Sequence, residues 1–174
     1  MSEATLATGS DYEPLLVAEI LRARRSIWLQ TFLFDMTFQR DTERRARRIA
    51  HLLLDAASDG LDVRVLLASP GPTSVAIPNR TTAIYCSILG LEVRLSQRNV
   101  ASHRKLAVFD SARCLVGGHN ITHGGLSLNK DVSILVEGQR LAAQAGSLFA
   151  QCWETAFQPR RGSSLTGRML TGGR

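Results

Sequence analysis

Residues 103–120 read H-R-K-L-A-V-F-D-S-A-R-C-L-V-G-G-H-N. His103, Lys105, Asp110, Gly117, Gly118 and Asn120 stand in the order H-x-K, four residues, D, six residues, G-G-x-N. Residues 105–110 are apolar and β-rich between polar flanks, which predicts a strand. Side chains two apart on a strand share a face, so His103 and Lys105 lie on one side at its entry. Asp110 and Ser111 predict a turn, because short polar side chains bond their own backbone. Residues 114–116 predict the returning strand. The Gly117–Gly118 pair suits a place where backbone must approach another group closely. A hairpin of this shape brings Asn120 back beside His103 and Lys105. The cluster then offers an imidazole nucleophile, a fixed positive charge and an amide donor, the groups needed to attack and hold a phosphodiester.

Each residue alone has a plainer reading. A histidine on a strand is most often structural, a lysine at a strand end is solvated, and a Gly-Gly pair is a turn. The fixed spacing in a strand–turn–strand context carries more than its parts. It resembles the HKD signature of the phospholipase D superfamily, and most of all its small, single-motif nuclease-type members. The resemblance continues through residues 121–137, I-T-H-G-G-L-S-L-N-K-D-V-S-I-L-V-E. There such members carry an Asn, a spacer and an acidic residue opening a strand, positions held here by Asn129 and Asp131. The family usually has Glu at the acidic position, bonded to the catalytic histidine, and Asp131 is one methylene shorter. It most often has Ser at the position of Gly118, so this chain lacks that hydroxyl and keeps the backbone N–H.

The resemblance implies a phosphodiesterase in which His103 attacks phosphorus and forms a phosphohistidine. A second His103 protonates the leaving oxygen. Lys105 and Asn120 stabilise the charge on phosphate, Gly118 lines it, and Asp131 orients His103. No metal and no other cofactor is implied, and Asp110 reads as a structural turn residue. Superfamily enzymes use two motifs across a two-fold axis. This chain has one, since His51 is followed by Leu-Leu, so a homodimer with a composite site is expected. Nucleic acid is the expected substrate. The alternatives are a phospholipase D or phosphatidyltransferase acting on phospholipid head groups, and a non-catalytic nucleic-acid-binding member of the fold.

Composition agrees with a folded domain that meets a polyanion. The chain has 174 residues, 44% of them apolar, and a net charge of +6. One domain with a real core is expected at this length, and a basic chain favours nucleic acid or an anionic membrane surface. Two arginine clusters stand out. Arg40, Arg44, Arg45, Arg47 and Arg48 crowd the start of a predicted helix, where the macrodipole disfavours cations. Arg160, Arg161, Arg168 and Arg174 lie near the C-terminus. Arg44, Arg47, Arg48, Arg160 and Arg161 are the candidate nucleic-acid contacts, with a solvated face as the plain alternative. Three scattered cysteines without a C-x-x-C pair argue against zinc and for a reducing compartment. No basic head with an apolar segment opens the chain, and no run is long enough to cross a bilayer, so a cytoplasmic protein is expected.

Along the chain, residues 1–10 read as a disordered lead, 11–158 as one phospholipase D-like domain and 159–174 as a flexible basic tail. Helices are predicted at 12–24, 41–58 (capped by Asp41), 81–89 and 140–157. Strands are predicted at 26–34, 61–67, 91–95 and 132–136, beside the hairpin. The proline-bearing segment 68–80 predicts a loop. Helices and strands alternate early and strands then run together. This predicts an α/β class, a layered α/β/α sandwich with a mixed central sheet.

Overall fold

The apolar run inside the motif becomes a central strand of a seven-stranded sheet. The computed structural model describes residues 3–37, 44–69, 74–97 and 102–159. In chain order the elements are β1 (Glu3–Thr8), α1 (Tyr12–Arg22), β2 (Ser26–Thr31), α2 (Arg45–Ser58), β3 (Asp62–Leu67) and α3 (Ala76–Ile88). Then follow β4 (Glu92–Leu95), β5 (Leu106–Phe109), β6 (Arg113–Gly117), α4 (His123–Ser127), β7 (Val132–Glu137) and α5 (Gln139–Glu154). The sheet order is β1-β7-β6-β5-β2-β3-β4. Strands β2, β3 and β4 are parallel, and the pairs β2–β5, β5–β6, β6–β7 and β7–β1 are antiparallel. The sheet is therefore mixed, as expected.

Alternation along the central strands fills two cores. Ile27 and Leu29 of β2, Val63, Val65 and Leu67 of β3, and Ala107 and Phe109 of β5 face α1, α2 and α3. Leu66, Leu106, Val108 and Cys114 point the other way, onto Ala142, Ala145, Phe149 and Trp153 of α5. The three layers follow from this period-two split, which buries both faces of the middle strands.

Two expectations are revised, and one element is added. Residues 3–8 are not a disordered lead: Glu3–Thr8 pairs with β7 in register from Glu3↔Glu137 to Thr8↔Val132. Its side chains are mostly exposed, so the ladder to β7, not core burial, holds it in place. The loop expected through residue 80 gives way to helix at Ala76. Pro78 falls in the first turn, where its missing N–H costs nothing. A short helix, α4, stands after the motif, its Thr122 hydroxyl capping Gly125 N–H at 3.0 Å. Asp41 and residues 160–174, with Arg160 and Arg161, lie outside the described residues.

Candidate active site

The parallel strands β2, β3 and β4 all end at the same edge of the sheet. There β5 begins, β6 ends and β7 begins, because those strands run antiparallel to their neighbours. His103, Lys105, Asn120 and Asp131 therefore gather at one end.

Phe32, just past β2, is the platform. The exposed His103 ring stacks on it with centroids 4.1 Å apart and planes 15° from parallel. Lys105 Nζ sits 5.4 Å from the same ring's centroid and donates to the His103 carbonyl at 3.1 Å. Among the described residues the His103 ring nitrogens make no hydrogen bond, so the imidazole is held by stacking alone. Burial lowers the Lys105 ammonium's pKa, and the Asp131 carboxylate works against that shift.

Asn120 arrives from the other side. The segment after β2 pairs with Ile121: Ile121 N–H donates to Leu33 O at 3.0 Å, and Asp35 N–H donates to Ile121 O at 2.9 Å. This leaves Asn120 Oδ1 accepting from Leu33 N–H at 3.2 Å. That bond fixes the amide's orientation and leaves its Nδ2 with no hydrogen bond among the described residues.

The sequence did not single out Asn79, which builds this platform. It is fully buried in α3. Its Oδ1 accepts from Phe34 N–H, and its Nδ2 donates to Phe32 O and Ala68 O, each at 2.8 Å. One side chain thus clamps the backbone that carries both Phe32 and Leu33. An Asn after a proline in a loop-like stretch hid this role, because its partners lie far away in sequence.

His119, also passed over, anchors the opposite wall. It is 1% exposed and stacks on Tyr12 at 4.3 Å and 2°. Gly9 O can only accept, so the 3.1 Å contact requires the proton on Nε2, and Nδ1 accepts from Ser133 Oγ at 2.7 Å. Burial lowers this imidazole's pKa, against the opposing pull of Asp131 and the Gly9 carbonyl. Gly9 N–H in turn bonds Asp131 O at 3.0 Å.

The glycine pair divides its labour. A Cβ on Gly117 would sit 2.1 Å from Ser133 Oγ and 2.4 Å from Ser133 Cα, so this is where close approach demands glycine. A Cβ on Gly118 would meet Asp131 atoms at 3.5 Å, ordinary contact. The Gly118 N–H, expected to face phosphate, donates instead to Val132 O at 2.8 Å, because the β6–β7 ladder runs one residue further. Asp131 Oδ2 accepts from Asn129 Nδ2 at 3.3 Å. Within one chain, Asp131 and His103 form no hydrogen bond with each other, in contrast to the expected contact.

Asp110 is a clamp at the far end of the hairpin. At φ 55° it turns β5 into β6. Its carboxylate accepts from the backbone N–H groups of Arg24, Arg25 and Ser26. Burial opposes its ionisation, but these three donors and Arg113 outweigh it and hold its pKa below the usual carboxylate value. The arginine cluster on α2 is partly engaged. The buried Glu13 pairs with Arg45 and, at 3.8 Å, with Arg48, while Arg47 Nε donates to Met36 O at 3.0 Å.

Residues 16–153 match the family described as cardiolipin synthase, PLD-like domain. The chain belongs to this phospholipase D-like family. Over 150 residues it is 27% identical to cardiolipin synthase 1 of Staphylococcus aureus, a match covering 78% of this chain and 29% of that protein's length. In fold, the phospholipase D-like domain is similar to Nuc from Salmonella typhimurium, a phospholipase D family member, with a TM-score of 0.74 and 19% identity. That match covers 91% of this chain and 100% of Nuc. Phosphatidylserine synthase of Haemophilus influenzae is similar with a TM-score of 0.70 and 15% identity, covering 90% of this chain and 39% of that one. The phospholipase D-like domain is thus of a phosphodiesterase-type enzyme family whose relatives include phospholipid synthases. Among its described residues no helix is long and apolar enough to cross a membrane.

Proposed function

We propose that this chain is a metal-independent phosphodiesterase that cleaves nucleic acid as a homodimer through a phosphohistidine. The observation that carries the reading is the shared platform: an exposed imidazole and an ammonium on one phenyl ring, with the Asn120 amide tied to Leu33 N–H next to that ring's residue. His103 attacks phosphorus and the P–O bond to the leaving group breaks. The leaving oxygen takes a proton from His103 of a second chain, which then deprotonates the water that releases the product. Lys105 and Asn120 Nδ2 supply positive charge to the non-bridging oxygens. Asp131 supports the Lys105 charge through space. Arg44, Arg47 and Arg48, at the start of α2, extend a basic surface at the same end of the sheet. A net charge of +6 favours a polyanionic substrate such as nucleic acid.

The match to cardiolipin synthase 1 favours a second reading, transfer or hydrolysis at phospholipid head groups by the same residues. A panel of DNA, RNA and cardiolipin or phosphatidylcholine vesicles, run in EDTA with wild type and His103→Ala, separates the two. The proposal expects nucleic-acid cleavage that survives chelation and falls by at least about a hundredfold in His103→Ala. Turnover confined to vesicles, or restored only by magnesium, overturns it.

A further inference from the structure

A cleft of about 370 Å³ opens beside His103, on the α5 face of the sheet. Gln30 forms its floor. It pairs in register with Leu66 and Leu106, both in the core under α5, so its side chain points to that face where the core ends. Gln30 is 3% exposed, and its Nε2 donates to Ser102 Oγ at 3.2 Å. Its Oε1 is buried with no hydrogen-bond partner among the described residues. A buried carbonyl oxygen left unpaired costs about 1–3 kcal/mol, so such a group marks a place where a donor binds.

Most of the remaining lining is neutral and polar, beside one guanidinium, Arg104, which donates to Cys152 Sγ at 2.7 Å. Gln97 and Gln151 add two more carboxamides, and Ser102 and Thr155 add hydroxyls. Gln151 lies in the last turn of α5, whose carbonyl end attracts donors and repels anions. The carboxamides therefore suit a neutral, donor-bearing group attached to the phosphate.

We propose that this cleft is the subsite for the base of the nucleotide esterified to the scissile phosphate. Planar carboxamides pair with the donor–acceptor edge of a base, as glutamine does with adenine. A glycerol head group would fill little of this volume and has no planar edge to match. The inference rests on the phosphodiesterase reading for the position of the phosphate, and deepens it by naming what is recognised beside it.

The test is equilibrium binding by calorimetry to the full chain, with inorganic phosphate, glycerol 3-phosphate and the four nucleoside 5′-monophosphates as probes. At least one nucleotide is expected to bind about tenfold or more tighter than phosphate and glycerol 3-phosphate. Gln30→Met, near in volume but without the amide, is expected to shrink that preference by about fivefold or more. Nucleotides no tighter than phosphate, or a preference that ignores Gln30→Met, overturn the proposal. A Gln30-dependent preference for glycerol 3-phosphate also overturns it, and assigns the cleft to a lipid head group. Should Gln30→Met fail to fold, Gln151→Leu on the exposed side of α5 decides, a retained preference being the contrary result. Base preference without turnover of any phosphodiester would sink the phosphodiesterase reading and leave the subsite standing.

Discussion

Replacing Asp110 by Asn isolates the charge at the hairpin clamp. Asn tolerates the left-handed backbone at φ 55°, so the turn itself is not strained by the change. The wild-type carboxylate accepts from Arg25 N–H at 2.7 Å, Ser26 N–H at 3.1 Å, and Arg24 N–H at 3.0 and 3.2 Å, while Arg113 lies at 3.5 Å. In the Asp110→Asn variant one carboxylate oxygen becomes an NH₂ that faces donors. Bonds to a charged acceptor contribute about 1.5–3 kcal/mol each against about 0.5–1.5 for neutral ones. With one contact turned repulsive, the net loss is about 3 kcal/mol, a fall in Tm of roughly 6–12 °C for a domain of this size. The pH dependence fixes the cause. A carboxyl whose folded pKa is depressed contributes fully above its unfolded value near about 4, and that contribution fades as pH falls through the folded value. Thermal melts of both proteins between about pH 7 and about pH 3 should show the gap closing on acidification. A gap under about 0.5 kcal/mol at neutral pH, or one that acid leaves unchanged, would refute the charge argument.

Asn79→Ala removes all three clamp bonds from a fully buried site and should cost about 3–5 kcal/mol in urea unfolding, with amide shifts reaching His103 and Asn120; a loss under about 1 kcal/mol contradicts the clamp. Gly117→Ala should destabilise by about 1–3 kcal/mol or more through its clash with Ser133, whereas Gly118→Ser should melt within a few degrees of wild type. His119 has a folded pKa below its unfolded value near about 6.5, so the neutral ring's contribution is complete above that pH and is lost as pH falls toward the folded value. His119→Gln should flatten the stability profile between about pH 7 and about pH 5, and an unchanged slope would remove His119 as its source.

Much of the scaffold was legible because local signals and burial agree. Helix–strand alternation placed β2, β3 and β4, and the H-x-K…D…G-G-x-N spacing placed the hairpin. What stayed hidden depends on partners remote in sequence. The strand Glu3–Thr8 buries only Ala7 and exists through its ladder to β7. Asn79 and Gln30 look ordinary in sequence, yet one clamps the segment under His103 and Lys105 and the other floors the cleft beside them. The Gly118 N–H was offered to phosphate by its place in the motif, but one more rung of the β6–β7 ladder consumes it. Arginines at the start of α2 read as a bare basic cluster because nothing local reveals Glu13, buried in α1 and paired with Arg45 and Arg48.

The central claim is that the His103 imidazole becomes covalently bonded to phosphorus. Rapid quenching of turnover into alkali, where phosphohistidine survives, followed by peptide mass spectrometry tests it directly on wild type and His103→Asn in EDTA. The account predicts a phosphoryl adduct on His103 that forms and decays at rates consistent with turnover, and no adduct or turnover in the variant. Undiminished turnover by His103→Asn, or an adduct on another residue, would contradict it.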